Sequence, residues 1–282
     1  MKKLLTLILF ILFIFNKDYI VLAASEAIDI WSKSLFPVLF PTLILSDILL
    51  SSGVLNLIPK FLYKMYSRLF KTSPYGLFVF IVSIFSATPT NAKILKDLYD
   101  NRLIDLNSLS KILSQTIFFN PILILTFSNF KVLLIMWISN VLTSFILRNK
   151  LISTNQEIKN FNIRFSLNES LEKNMKTILN ILGTLTIFLS LANIIPIRNI
   201  FIKTFISGIL EITSGFTRIK LYMIYPFNDI FMLIFVSFSS ISIIMQIKSI
   251  LKETKFNLKY FYTSRFLTLF ISLFIYLITQ TI

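Results

Sequence analysis

The sequence predicts an all-α, polytopic membrane protein. Three observations point there. Hydrophobic residues make up 55% of the 282 positions and charged residues 15%, where an ordinary soluble domain carries about 25% charged residues. Mean hydropathy is +0.79. The apolar residues also gather into long uncharged runs, with most of the 28 Lys and Arg between them. A chain of this length has too little interior to hide so much apolar surface from water, so lipid is the expected solvent.

The charge pattern sets the expected topology. The net charge is +15, which on a soluble chain would point to nucleic acid. Here the cations fall in short loops, as the excess of Lys and Arg on cytoplasmic loops predicts, and no nucleic-acid partner is expected. Lys60, Lys64, Arg68 and Lys71 form one such loop. Arg148, Lys150, Lys159, Arg164, Lys173 and Lys176 form a second, diluted by Glu157, Glu169 and Glu172. Lys248, Lys252, Lys255 and Lys259 form a third. All three are expected inside the cell, in the cell membrane.

The first element is the apolar run after Lys2 and Lys3, interrupted by Asn16, Lys17 and Asp18. It has the form of a signal peptide, with Val21-Leu22-Ala23 as a cleavage site, or of a first anchor ending near Ala24. We read it as a retained anchor. Runs long enough to cross the bilayer follow over residues 35–50 (with Pro37, Pro41 and Asp47), 112–130, 132–147, 177–197, 230–247 and 266–282.

Two segments behave differently. Residues 76–88 cover only ~20 Å of a ~30 Å core at 1.5 Å per residue. They then meet Ala87-Thr88-Pro89-Thr90-Asn91, which breaks a helix, and the charged stretch 93–105. Residues 200–218 carry Lys203, Glu211, Thr213, Ser214, Gly215 and Arg218 in an apolar frame. Charges inside a span cost about 2.5–3.5 kcal/mol each on insertion scales and are tolerated where they face a cavity or each other. With the three basic loops inside, both segments must return to the side they left, one dipping from the cytoplasm and one from outside. Broken helices meeting at mid-membrane from opposite faces are the mark of an inverted repeat. The expected fold therefore has about seven to nine hydrophobic segments in two inverted halves.

Several motifs in order resemble a known family. They are Leu35-Phe36-Pro37 with Leu39-Phe40-Pro41, Ser46-Asp47-Ile48-Leu49, Pro89-Thr90-Asn91-Ala92-Lys93, Phe119-Asn120-Pro121, Leu210-Glu211-Ile212-Thr213-Ser214-Gly215, and Ser237-Phe238-Ser239-Ser240-Ile241-Ser242 followed by Gln246 and Ser249-Ile250-Leu251. Together they resemble the nucleoside-recognition (Gate) domain membrane proteins, in particular the YlbJ-like sporulation integral membrane proteins. Glycines of the family pattern are replaced at Ala87, Asn91, Ser239 and Ser240. The implied organisation is an anchor or signal-like segment over 1–30, Gate-like halves over 31–147 and 177–282, and a cytoplasmic loop over 148–176. The resemblance implies a role in spore cortex formation.

The candidate solute site is Thr88, Pro89, Thr90, Asn91, Lys93, Asn120, Glu211, Thr213 and Gly215. Lys93 follows the Pro89 break at a helix start, where free N–H groups favour an anion; otherwise it snorkels to the interface. Glu211 lies inside an apolar stretch, so it faces a cavity or pairs with Lys93 or Arg218. Asp47 is similar to Glu211 but nearer a span end, so an interfacial position is equally open, and Gln246 reads as interfacial. Asn120-Pro121 puts a polar kink in mid-span. The expected function is a gate or transporter for a small polar or anionic solute, the alternative a non-transporting scaffold for spore formation. Expected partners are the lipid bilayer, further copies of the chain and other sporulation membrane proteins.

With no Cys and no His, thiol chemistry, His-based metal sites and a Ser-His-Asp triad are excluded. The chain also lacks a phosphate-binding P-loop motif, and Asp97, Asp100 and Asp105 are mixed with Lys96 and Arg102. An enzyme, a metal and a cofactor are therefore not expected.

Overall fold

Proline, asparagine and serine set many of the helix boundaries of this chain. The computed structural model describes residues 11–53, 58–86, 88–153 and 165–281, and among them there is no strand. The described residues are all-α, with five helices among them long and apolar enough to cross a membrane and two shorter apolar ones.

Helix α1 (Lys17–Ile30) passes through a π-helical stretch, Trp31–Leu35, into α2 (Phe36–Ser51). Pro37 has no N–H to return to the carbonyl of Lys33, and Pro41 none for that of Pro37. The backbone widens just before them, so the Phe36 N–H reaches back to the Trp31 oxygen. The continuous rod Lys17–Ser51 has 35 residues, about 50 Å at helical rise. The expected boundary between an anchor over 1–30 and the next segment is thus absent. Residues 1–10, which hold Lys2, Lys3 and the start of the apolar run, lie outside the described residues.

Helix α3 (Lys60–Phe70) is amphipathic, burying Tyr63, Tyr66 and Phe70, and ends where Lys71 turns left-handed at φ 49°, ψ 49°. Helices α4 (Gly76–Ser86), α5 (Thr90–Asp100) and α6 (Leu106–Gln115) follow. Thr88 N–H donates to the Phe118 oxygen at 2.9 Å and Asn91 Nδ2 to the Thr116 oxygen at 2.9 Å. The α4–α5 tip therefore sits at the far end of α6, while the loop after Asp100 returns to its start. Helix α5 runs antiparallel to α6, and α4 and α5 form a hairpin. Ala87 lies outside the described residues.

The expected uncharged span 112–130 is broken. Residues before a proline avoid the helical region, and Asn120, ahead of Pro121, stands at φ −54°, ψ 124°. Its Oδ1 accepts from Ile122 N at 2.8 Å, capping α7 (Pro121–Phe127). Helix α8 (Phe130–Leu147) is capped by Asn129. Helix α9 (Leu167–Ile194) starts inside the expected loop 148–176, with Ser166 as its cap. Lys159, Arg164 and Glu157 lie outside the described residues.

Helices α10 (Ile200–Leu210) and α11 (Ile212–Tyr222) meet at the extended residue Glu211. Helix α12 (Phe227–Phe238) is separated from α13 (Ile241–Ile250) by Ser239 and Ser240, breaking the expected span 230–247. Helix α14 (Leu258–Thr281) begins before the expected start at 266 and so takes Arg265 into the bundle. The main core joins α4 to α8 with α11 to α14. Arg265, fully buried, donates to the Ser114 oxygen at 2.5 Å and Asn140 Oδ1 at 3.0 Å. It thereby occupies the negative C-terminal end of α6. The rod of α1 and α2 packs on α9, through Ala23 and Ala27 against Leu185 and Leu189, then Leu39 and Leu43 against Ile178 and Ile181.

Ser239 stands at φ 67°, ψ 137°, a conformation that L side chains rarely adopt. Its buried Oγ has no hydrogen-bond partner, so the side chain gains nothing there. Ser239→Gly is expected to raise stability by about 1 kcal/mol, read as a higher melting midpoint in detergent. A lower midpoint would show that the serine is unstrained. Asn91 is helical, so loss of a glycine there carries no such penalty.

Candidate functional site

A cavity of 440 Å³ opens where the chain's breaks converge. Ser86, Thr88 and Pro89 reach it from the tip of the α4–α5 hairpin, and Phe119 and Asn120 from the break before α7. Glu211, Ile212 and Thr213 reach it from the α10–α11 tip, and Ile243 and Gln246 from α13. The π-helical stretch supplies Lys33, Ser34 and Leu35, and α9 supplies Ile181 and Leu185. The lining is chiefly apolar, with a few polar groups converging, as small-molecule sites have.

The polar groups divide into committed and free ones. Glu211 is the N-cap of α11: its Oε2 accepts from Ser214 N at 2.9 Å and from the Thr213 hydroxyl. The partial positive charge of the helix start favours the carboxylate there. Among the described residues no Lys or Arg forms an ion pair with it. Lys33, at the cavity, pairs instead with Asp29 at 2.9 Å. Thr88 Oγ1 is buried without a partner. The cavity thus holds a carboxylate without a counter-ion and a hydroxyl ready to bond.

Four of the nine candidate residues lie elsewhere. Asn91 is fully buried and spends its amide on Thr116, at 2.9 Å to the oxygen and 3.2 Å to Oγ1. Thr90 is buried and does not line the cavity. Lys93, whose side chain is 2% exposed, is held between Asp47 and Asp97. Gly215 lies against the backbone of Gly208 in the opposite arm of the α10–α11 hairpin. After the Pro89 break Asn91 turns toward the end of α6 and Lys93 toward Asp47 of α2, rather than into the cavity. Thr88, Pro89, Asn120, Glu211 and Thr213 are brought together.

The Lys93 site is a separate charged network. Asp47 accepts from Ser170 Oγ at 2.5 Å and Asn174 Nδ2 at 2.8 Å, besides pairing with Lys93. Asp97 pairs with Lys93 at 2.8 Å and with Lys173 of α9. Two acids and two bases thereby join α2, α5 and α9 with no net charge. Of the two readings open for Asp47, the partnered one fits, with Lys93 of α5 and Ser170 and Asn174 of α9 reaching it.

Gln246, read from the sequence as interfacial, lines the cavity. Its spacing of three from Ile243 and four from Ser242 puts all three on one face of α13. Helical spacing counted from the Ser239–Ser240 break would have found it. Comparison of the chain with protein-family models, with curated proteins and with solved structures gives no match.

Proposed function

We propose that this chain is a gate or transporter for a small solute, held between the tips of two hairpins near the bilayer midplane. One observation carries the reading: Thr88 and Pro89 of one hairpin and Glu211 and Thr213 of the other line the same 440 Å³ cavity. The order of elements supports two related halves. A hairpin (α4–α5), a broken pair (α6–α7) and a span (α8) are followed by a hairpin (α10–α11), a broken pair (α12–α13) and a span (α14). Helices α4 and α10, of 11 residues each, reach about 16 Å and cannot cross a ~30 Å core. They fit re-entrant arms of an inverted repeat.

The chemistry of the cavity favours a neutral or cationic solute with hydrogen-bond donors and an apolar body. An anion is disfavoured, because Lys93 is committed elsewhere and Glu211 offers an acid group rather than a counter-charge. The resemblance to Gate-domain proteins makes neutral nucleosides the first solutes to try, and is the reason to look for a role in spore cortex formation.

The test is flux into proteoliposomes of the full chain, with labelled uridine, adenosine and a small carboxylic acid as the anionic control. Saturable uptake of a neutral solute is expected. Glu211→Gln, which keeps the shape and removes the charge, is expected to lower it roughly 10- to 100-fold, the size of a charge-assisted hydrogen bond. Equal uptake by Glu211→Gln would remove Glu211 from the site. Absence of saturable uptake of any of the three would sink the transport reading and favour a scaffold.

A further inference from the structure

A second cavity, of 460 Å³, lies between the end of α3 and the end of α8. It is lined by Ser67, Arg68 and Lys71 on one side and Arg148, Asn149 and Ser153 on the other, with Leu151 and Ile152. The lining therefore has three cations and no acid. Among the described residues none of the three forms an ion pair.

The cavity has a built floor. Lys111 is fully buried and donates to the carbonyl oxygens of Arg148 at 2.8 Å and Leu151 at 3.1 Å, and to that of Lys71. All three of its donors are used to hold the two loops together, which leaves a fourth positive charge beneath the cavity. Arg148 is fixed in turn, with Nη1 donating to the Leu69 oxygen at 3.2 Å and its guanidinium 3.8 Å from the Phe145 ring centre. Fixed cations in a partly desolvated concavity attract anions more strongly than the same charges spread in water.

The surface beside the cavity is apolar. Phe61, Met65 and Leu69, spaced four apart on α3, are 66%, 59% and 42% exposed. On an amphipathic helix flanked by Lys60, Lys64 and Arg68 this is the arrangement of a helix lying in the bilayer interface. We propose that the cavity holds the phosphate-bearing headgroup of an anionic phospholipid, with Arg68, Lys71 and Arg148 on the phosphate and the acyl chains along Phe61, Met65 and Leu69. Basic pockets between helices on the cytoplasmic side suit such headgroups, and this pocket lies on a basic loop expected on that side. An apolar stripe next to the cations favours a lipid over free phosphate, which has no use for it.

The test uses the full chain in neutral detergent, with phosphatidylglycerol, phosphatidylcholine and inorganic phosphate as separate additives. Retained lipid is counted by native mass spectrometry and binding is titrated by the melting midpoint. Phosphatidylglycerol is expected to be retained and to raise the midpoint, and phosphatidylcholine to do neither. Arg68→Gln with Lys71→Gln, both exposed positions, should weaken phosphatidylglycerol binding roughly thirtyfold. The same double change at Lys252 and Lys255 should not weaken it. Equal retention of phosphatidylcholine, or unchanged phosphatidylglycerol binding in the Arg68 and Lys71 variant, would overturn the proposal. Inorganic phosphate protecting as well as phosphatidylglycerol would overturn the lipid assignment.

Discussion

Lys93→Ala is expected to destabilise the protein by about 3–5 kcal/mol, the usual effect of removing one partner from a buried ion pair. The size follows from where the charge sits. The Lys93 side chain is 2% exposed and lies between Asp47 and Asp97, so its loss leaves two carboxylates facing one cation, Lys173. Asp47 retains Ser170 and Asn174 as donors, which offset part of its lost partner but cannot neutralise it. Lys173, with a side chain 49% exposed, is screened by water, and Lys173→Ala is expected to change stability by about 0–1 kcal/mol. Melting in detergent checks both. Adding Asp47→Asn to Lys93→Ala should recover stability, because it removes the carboxylate left without a cation, whereas Asp97 keeps Lys173. If Lys93→Ala melts with the parent protein, the network is not holding α2, α5 and α9 together.

Gly208→Ala is expected to have the other large effect, through shape rather than charge. A methyl group at 208 would lie 2.2 Å from two ring carbons of Phe235, and one at 215 would lie 2.5 Å from the Gly208 Cα and 2.7 Å from the same ring. Phe235 is fully buried, so its ring has little room to move, and α10 would have to shift away from α12. Overpacking of this kind typically costs about 1–3 kcal/mol. Because Glu211 lies at the tip of the same hairpin, the cavity should deform as well. Melting and flux together test this: Gly208→Ala should lower both, and Phe235→Leu in the same chain should restore part of each. Gly183 has nothing within 4 Å of the corresponding position, so Gly183→Ala serves as the control and should stabilise α9 by about 1 kcal/mol. A Gly208→Ala protein that melts like the Gly183→Ala protein would show that the close approach is unimportant.

These two sites show why only five of the nine candidate residues line the cavity. Both tip segments were found from the sequence, because a polar run inside an apolar one is a local anomaly. The roles within them were not. A place at a helix start leaves Lys93 open to a ligand, to snorkelling or to an acidic partner. Its i, i+4 spacing to Asp97 was legible and pointed to an ion pair. Gly215 was placed in the site as part of a motif, whereas its neighbour across the hairpin is another glycine seven positions earlier, a pairing that exists only once the chain has folded back. Arg265 was missed by a boundary set one residue too late.

The sequence by itself determined the all-α membrane class and the break at Pro89, while the breaks within 112–130 and 230–247 appeared only in the structure. The first two depend on hydropathy over one helix length and on proline's missing N–H, both of which act locally. Only the tertiary structure decided which breaks meet in one cavity and which charges neutralise one another. Asn174 and Asp47 are 127 positions apart, and Arg265 and Ser114 are 151 apart. The partner of a buried charge is set by desolvation, which requires some partner, and by helix packing, which selects it. Hydropathy and spacing reveal the first requirement and carry no record of the second.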